Sequence, residues 1–226
     1  MPSIVVKSSI YGDMFGTADM RGLFEDDTML GLYLDVETAL ARAQAKLGLI
    51  PEDAAKAITD AADIDKIDMD KLSARAQIVG YPILPLVEQL SGWAPDGLGQ
   101  YCHWGATTQD IMDTADVLQV RAGLDIVEEY LERIAAALAK LAEEHADTPM
   151  AGRTHLQHAL PVSFGFKAAT WLSAIDRHRI RLAELRGRVE VVEFSGAAGT
   201  LASLSGNGLA TQAALAEELG LAVPDI

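Results

Sequence analysis

Apolar residues recur at steps of three and four along much of this chain, and that spacing predicts helices. Met29, Leu32, Val36, Leu40, Ala43 and Leu47 line one face of an amphipathic helix, entered at an N-cap from Asp26 or Asp27 and ended by Gly48. Pro51 opens a second, Ala-rich helix with Glu52 and Asp53 in its first turn, where negative charge suits the helix dipole. A helix over Lys71–Val79 stops at Gly80, and another runs through Leu86–Leu90. The acidic connector 60–70 reads as solvated surface and 91–100 as loop. Leu209–Leu219, closed by Gly220, is a further helix. Residues 1–16 carry no strong pattern, and Tyr11–Gly16 reads as a turn-rich arm.

The sharpest periodicity comes after Asp113. Val117, Val120, Leu124, Val127, Leu131, Ile134, Leu138 and Leu141 alternate steps of three and four, a heptad stripe on a long helix ending near His145. A second stripe follows Pro161, from Phe164 through Ala168, Trp171, Ile175, His178, Leu182, Leu185 and Val189 to Val192. Two such helices imply a long bundle with shallow crossing angles, joined by a reversing loop over 147–160. The expected class is all-α: an N-terminal helical domain over 1–112, then a long-helix bundle over 113–226. A bundle this long rarely buries its whole apolar stripe within one small chain, so association through it is expected. His178 sits within the second stripe and reads as a packed, hydrogen-bonded core or interface histidine.

Half of the 226 residues are hydrophobic, enough for a core, and Ala and Leu dominate as in helical proteins. The formal charge of −15 opposes non-specific binding to nucleic acid or an anionic membrane. No apolar run approaches a membrane span, and Met1 opens no signal peptide. The one cysteine, Cys102, rules out an internal disulfide, reads as a small buried hydrophobe rather than a nucleophile, and fits a reducing cytoplasm. Seven of the 18 basic residues lie between Arg153 and Arg188; most read as solvated or paired with acidic partners, and a subset could attract an anionic substrate.

Two stretches concentrate polar chemistry at helix entrances. In the first, His103-Trp104-Gly105-Ala106-Thr107-Thr108-Gln109-Asp110, an imidazole, two hydroxyls, an amide and a carboxylate meet the unpaired N–H groups of a helix start, which favour an anion. Capping of the helix by Thr108 or Asp110, with His103 a satisfied core histidine, is the plainer use of the same residues. In the second, Gly152-Arg153-Thr154-His155-Leu156-Gln157-His158, Arg153 can fork onto a carboxylate and a neutral imidazole can move a proton near pH 7. His155 and His158 lack the Cys or acidic partners of a metal site. The turn 195–200 follows no strand, so close packing or a sharp bend explains its glycines better than nucleotide binding.

These stretches resemble the fumarase/aspartase superfamily. His103–Asp110 followed by Asp113-Thr114 is similar to its Thr-Ser-x-Asp region, and the form with Trp104 and Gln109 looks most like the 3-carboxy-cis,cis-muconate cycloisomerase branch. Gly152, Thr154, His155, Gln157, Ala159 and Pro161 match its Gly-x-Thr-His-x-Gln region, and Gly196–Thr200 resembles a third. The likeness runs from about Met20 to the chain end. Adenylosuccinate lyases carry a His-Asp-Val segment where this chain has Tyr81-Pro82-Ile83, a departure that again resembles the cycloisomerases. The serine-bearing signature loop of the superfamily is absent and is expected beyond Ile226, so the chain is expected to be the N-terminal part of a longer enzyme and inactive alone.

The resemblance implies a cytoplasmic homotetramer with sites shared between subunits and no metal or organic cofactor. The implied substrate is a small tricarboxylate, 3-carboxy-cis,cis-muconate, closed to a lactone in aromatic-acid catabolism. His155, Thr108 and His103 are the implied catalytic candidates, with Thr107, Gln109, Asp110, Arg153, Thr154 and Gln157 binding substrate. A fumarate-releasing lyase of the same superfamily is the nearest alternative. A non-catalytic helical scaffold is the alternative from another class; the intact polar residues of both stretches argue against it.

Overall fold

A computed structural model describes residues 8–225, so residues 1–7 of the patternless N-terminal stretch and Ile226 lie outside the described residues. The chain is mostly helical: α1 (Ala18–Gly22), α2 (Asp26–Lys46), α3 (Glu52–Ala61), α4 (Met69–Val79), α5 (Ile83–Trp93), α6 (Thr108–Glu144), a hairpin of β1 (Pro149–Thr154) and β2 (Gln157–Ser163), α7 (Phe164–Val189) and α8 (Gly208–Leu219). The described residues form two compact units, one from 8–121 with 189–225 and one from 122–188. The boundary expected after residue 112 falls inside α6, a continuous helix that starts in the first unit.

In the first unit α2 is the central element. Its expected stripe is too narrow, because Leu30, Tyr33, Leu34, Val36, Ala39, Leu40, Ala41 and Ala43 are all buried around it, along with Glu37, Thr38 and Gln44. Leu47, assigned to the stripe, is exposed instead. The N-cap is Glu25, one residue before the expected position, so Asp26 and Asp27 lie in the first turn and face the helix dipole rather than capping it. α2 packs against α3 and α8, and Arg42 Nε binds Glu218 Oε2 at 2.8 Å to tie α2 to α8. Leu40, Ile58, Ile83, Leu86, Leu90, Ile111, Phe194 and Leu215 complete the core. Asp68 caps α4 by accepting from Lys71 N–H at 3.0 Å, and Gly80 ends that helix in the left-handed region. Most of the expected loop at 91–100 is helical: α5 reaches Trp93, and Pro95–Tyr101 is a kinked 3-10 segment.

The second unit holds the rest of α6, the hairpin and α7. Arg186 Nη2 lies 2.8 Å from Asp125 and 2.7 Å from Glu128, pairing the two long helices. The expected second stripe overruns its helix, which ends at Val189; Val192 is instead buried in the first unit. His178 is exposed, with Nδ1 2.9 Å from Arg181, and does not pack in a core within this chain. Val120, Val127, Ile134 and Trp171 of the two stripes are exposed.

The reversal at 147–160 is not a loop. Thr154 pairs with Gln157 and Arg153 with His158, and the two-residue turn His155-Leu156 has φ of 46° and 62°. Positive φ at both turn positions matches the right-handed twist of a hairpin, although Asn-Gly is the usual pair there. A bulge then sets Ala159 and Leu160 of β2 against Gly152 of β1. Any side chain at Gly152 would put its Cβ 2.6 Å from the Leu160 carbonyl oxygen, so the bulge requires glycine.

Candidate active site

The first polar stretch is held in place from three directions. α6 begins at Thr108, five residues before the expected start, so Thr107 is its N-cap and Asp110 its third residue. Asp110 Oδ2 reaches back to accept from Thr107 N–H at 2.9 Å, the acidic half of a capping box. The same carboxylate accepts from Ser195 N–H at 2.9 Å and from Gly196 N–H at 3.0 and 3.2 Å. Asp110 is buried, and three backbone donors occupy both its oxygens. The turn at 195–200 thus serves as a donor to the start of α6, a use its glycines alone did not disclose. One turn further on, buried Thr114 donates Oγ1–H to Glu193 O at 2.7 Å and accepts from Glu193 N–H at 3.1 Å, fastening the segment that leads into that turn.

His103 enters the loop with φ of 59°, a conformation sparse for a non-glycine residue but enriched for His, Asn and Asp. Its Nδ1 lies 2.6 Å from Oε1 of Glu37, whose side chain is 0% exposed. Burial by itself lowers the pKa of His103, but the hydrogen bond and charge of Glu37, with the charge of Asp110, outweigh it and hold the imidazole above its ordinary value. Cys102 Sγ sits 3.9 Å from Glu37 Oε2, and burial first, then that carboxylate, push the thiol far up. A thiol so held is a poor nucleophile. Next along the loop, Gln44 Nε2 donates to Trp104 O at 2.6 Å. Gly105 has φ of 76°, and a Cβ there would meet Leu204 Cδ2 at 2.6 Å.

What remains available is informative. Among the described residues, the hydroxyls of Thr107 and Thr108 make no hydrogen bond and are partly exposed, beside the first N–H groups of α6. Gln109 is exposed, and its Nε2 donates to Asp113 Oδ1 one turn along. This arrangement can bind a carboxylate or stabilise charge growing on one.

The second group sits on the hairpin of the other unit. Arg153 and Thr154 end β1, His155 opens the turn and Gln157 starts β2, all exposed. Among the described residues none of these four side chains forms a hydrogen bond or ion pair, and no cluster of three or more His, Cys, Asp or Glu is placed to hold a metal ion.

Sequence reasoning overlooked Glu37 and Gln44. A signal was present: the two are seven apart on α2, polar residues on a face otherwise apolar and buried.

A family model described as Lyase matches residues 13–224. The chain belongs to this lyase family, within the fumarase/aspartase superfamily. It is 45% identical to trans-aconitate decarboxylase 1 of Mycosarcoma maydis, over all of this chain and 46% of the relative. It is 46% identical to 3-carboxy-cis,cis-muconate cycloisomerase of Pseudomonas aeruginosa, over 99% of this chain and 49% of the relative. The crystal structure of a fumarate lyase from Mesorhizobium sp. BNC1 is similar at 60% identity and a TM-score of 0.86, covering 92% of this chain and 49% of that one. The chain thus spans about half the length of the curated relatives it matches. No described helix is long and apolar enough to cross a membrane.

Proposed function

We propose that this chain forms part of a cycloisomerase that closes 3-carboxy-cis,cis-muconate to carboxymuconolactone in aromatic-acid catabolism. An internal carboxylate oxygen adds to one carbon of a C=C bond, and a proton is delivered to the other. The carboxylate conjugated with that bond carries the growing negative charge. The observation that carries this reading is the pair of unpartnered hydroxyls, Thr107 and Thr108, at the start of α6 beside a histidine held toward its charged form. Groups fixed in advance at that position stabilise the charge as it develops. Thr108 and His103 act there, with Gln109 close by, and Asp110 acts from behind by holding the loop. On the hairpin, Arg153, Thr154 and Gln157 bind the other carboxylates, and His155 transfers the proton.

Trans-aconitate and 3-carboxy-cis,cis-muconate are both unsaturated tricarboxylates, which supports that substrate class. The exposed stripe residues of α6 and α7 support a homotetramer whose subunits share sites, and unpaired Cys102 suits the cytoplasm. The test is a lactonisation assay with 3-carboxy-cis,cis-muconate on the full-length protein, run beside an assay for fumarate release. Lactone formation is expected. Fumarate release without lactonisation would replace the reading with the lyase that the Mesorhizobium likeness favours. Activity in neither assay would favour a non-catalytic scaffold or another acid.

A further inference from the structure

Two polar side chains of α2 are buried and grip successive residues of the catalytic loop. Glu37 Oε1 meets His103 Nδ1 at 2.6 Å, and Gln44 Nε2 meets Trp104 O at 2.6 Å. Glu37 is 66 positions from its partner, and its carboxylate is fully withdrawn from solvent. Burying a carboxylate is costly unless it is paired, so a contact this short at a wholly buried site is a built feature. His103 itself has φ of 59°, a left-handed conformation sparse among non-glycine residues.

We propose that Glu37 is the positioning residue for His103: its buried carboxylate fixes the ring's orientation, tautomer and charge, so that Nε2 is the nitrogen offered to a substrate carboxylate. Glu37 never touches substrate. A carboxylate accepts only, so the proton at this contact lies on Nδ1. Among the described residues Nε2 has no hydrogen-bond partner, and 22% of the side chain remains exposed. The charged groups acting on the ring are Glu37 from α2 and Asp110 from α6, and both favour the imidazolium, whereas the Cys102 thiol lies against the Glu37 carboxylate. His103 is then a fixed cation in a loop that otherwise offers neutral hydroxyls, suited to anchoring one carboxylate of a polycarboxylate. The role in turnover rests on the reaction proposed above.

The experiment is carbethoxylation of His103 in the full-length protein, followed by peptide mass spectrometry against pH, for wild type and Glu37→Gln. Only neutral imidazole reacts, so the midpoint reports the ring's own titration. The wild-type midpoint should lie above about 6.5, and Glu37→Gln should lower it by about one pH unit or more. The alkaline fall in kcat/KM should move down by the same amount, because loss of the imidazolium loses the anchor. Glu37→Asp, with its carboxylate drawn back, should fall between the two and serves if Glu37→Gln does not fold. A wild-type midpoint at or below 6.5, or equal midpoints in wild type and variant, overturns the proposal without any reference to activity. Shifted midpoints with an unmoved kcat/KM limb overturn the role in turnover. If wild type lactonises nothing and releases no fumarate, the reaction assigned above fails, while the midpoints still decide the pairing.

Discussion

Gly196 N–H donates to both carboxylate oxygens of Asp110, at 3.2 and 3.0 Å, across 86 positions of chain. With Ser195 N–H and Thr107 N–H on the same group, one buried side chain joins the glycine turn to the start of α6. Replacing Asp110 by Asn keeps the shape but turns an NH2 toward N–H donors. Asp110→Asn should therefore destabilise the protein by about 1.5–3 kcal/mol, the worth of hydrogen bonds to a charged group. Chemical denaturation of the full-length protein measures this. An unchanged midpoint would release Asp110 from its structural role and return it to direct substrate binding.

Gly105 tests the loop from the backbone side. Gly105→Ala adds a Cβ 2.6 Å from Leu204 Cδ2 at a position with φ of 76°. The left-handed conformation alone costs an alanine about 1–2 kcal/mol, and displacing Leu204 adds to it. A lowered Tm is expected, with kcat/KM falling as Thr107 and Thr108 shift. A variant as stable and active as wild type would show that the loop accommodates the change freely.

The Glu37–His103 contact also predicts how stability depends on pH. The folded pKa of His103 is raised above its unfolded value of about 6.5. The contact's contribution is therefore fully present below about pH 6.5 and is lost as pH rises through the raised folded value. The unfolding midpoint of wild type minus that of His103→Asn, followed from pH 5.5 to 9, should be largest at the acid end and shrink above pH 6.5. A gap that grows with pH would contradict this sign.

Arg153 stands exposed on β1 with no internal partner among the described residues, so no structural role competes with substrate binding. Arg153→Ala should cost about 1.5–3 kcal/mol of transition-state binding, or about 10- to 160-fold in kcat/KM. Thermal stability should hold. Unchanged kcat/KM with the tricarboxylate would remove Arg153 from the site.

His155 opens the hairpin turn, exposed and at φ of 46°. If it carries the proton, His155→Asn should cut kcat by roughly 10²–10⁴ with the fold intact, since Asn tolerates the left-handed region well. A raised KM with kcat preserved would make it a binding residue instead. Steady-state kinetics across pH, with circular dichroism as the control, separates the two.

Read alone, the sequence determined what is local. The steps of three and four found α2 and the two long helices, and Gly80 and Gly220 marked the ends of α4 and α8, because helical periodicity and capping are settled within a few turns of chain. The polar clusters at 103–110 and 152–158 were visible for the same reason: their chemistry lies in consecutive residues. The hairpin was hidden because β2 is exposed along almost its whole length and β1 is half-buried on both faces at its centre, which leaves no alternation, and because His155-Leu156 is not a usual turn pair. Glu37 stood out as a charge on an apolar face, but its partner was hidden by distance, since no partner is declared until another segment packs against it. Only the tertiary structure decided that Glu37 meets His103 and that Asp110 meets Gly196, since such buried contacts exist only once the whole core has closed around them.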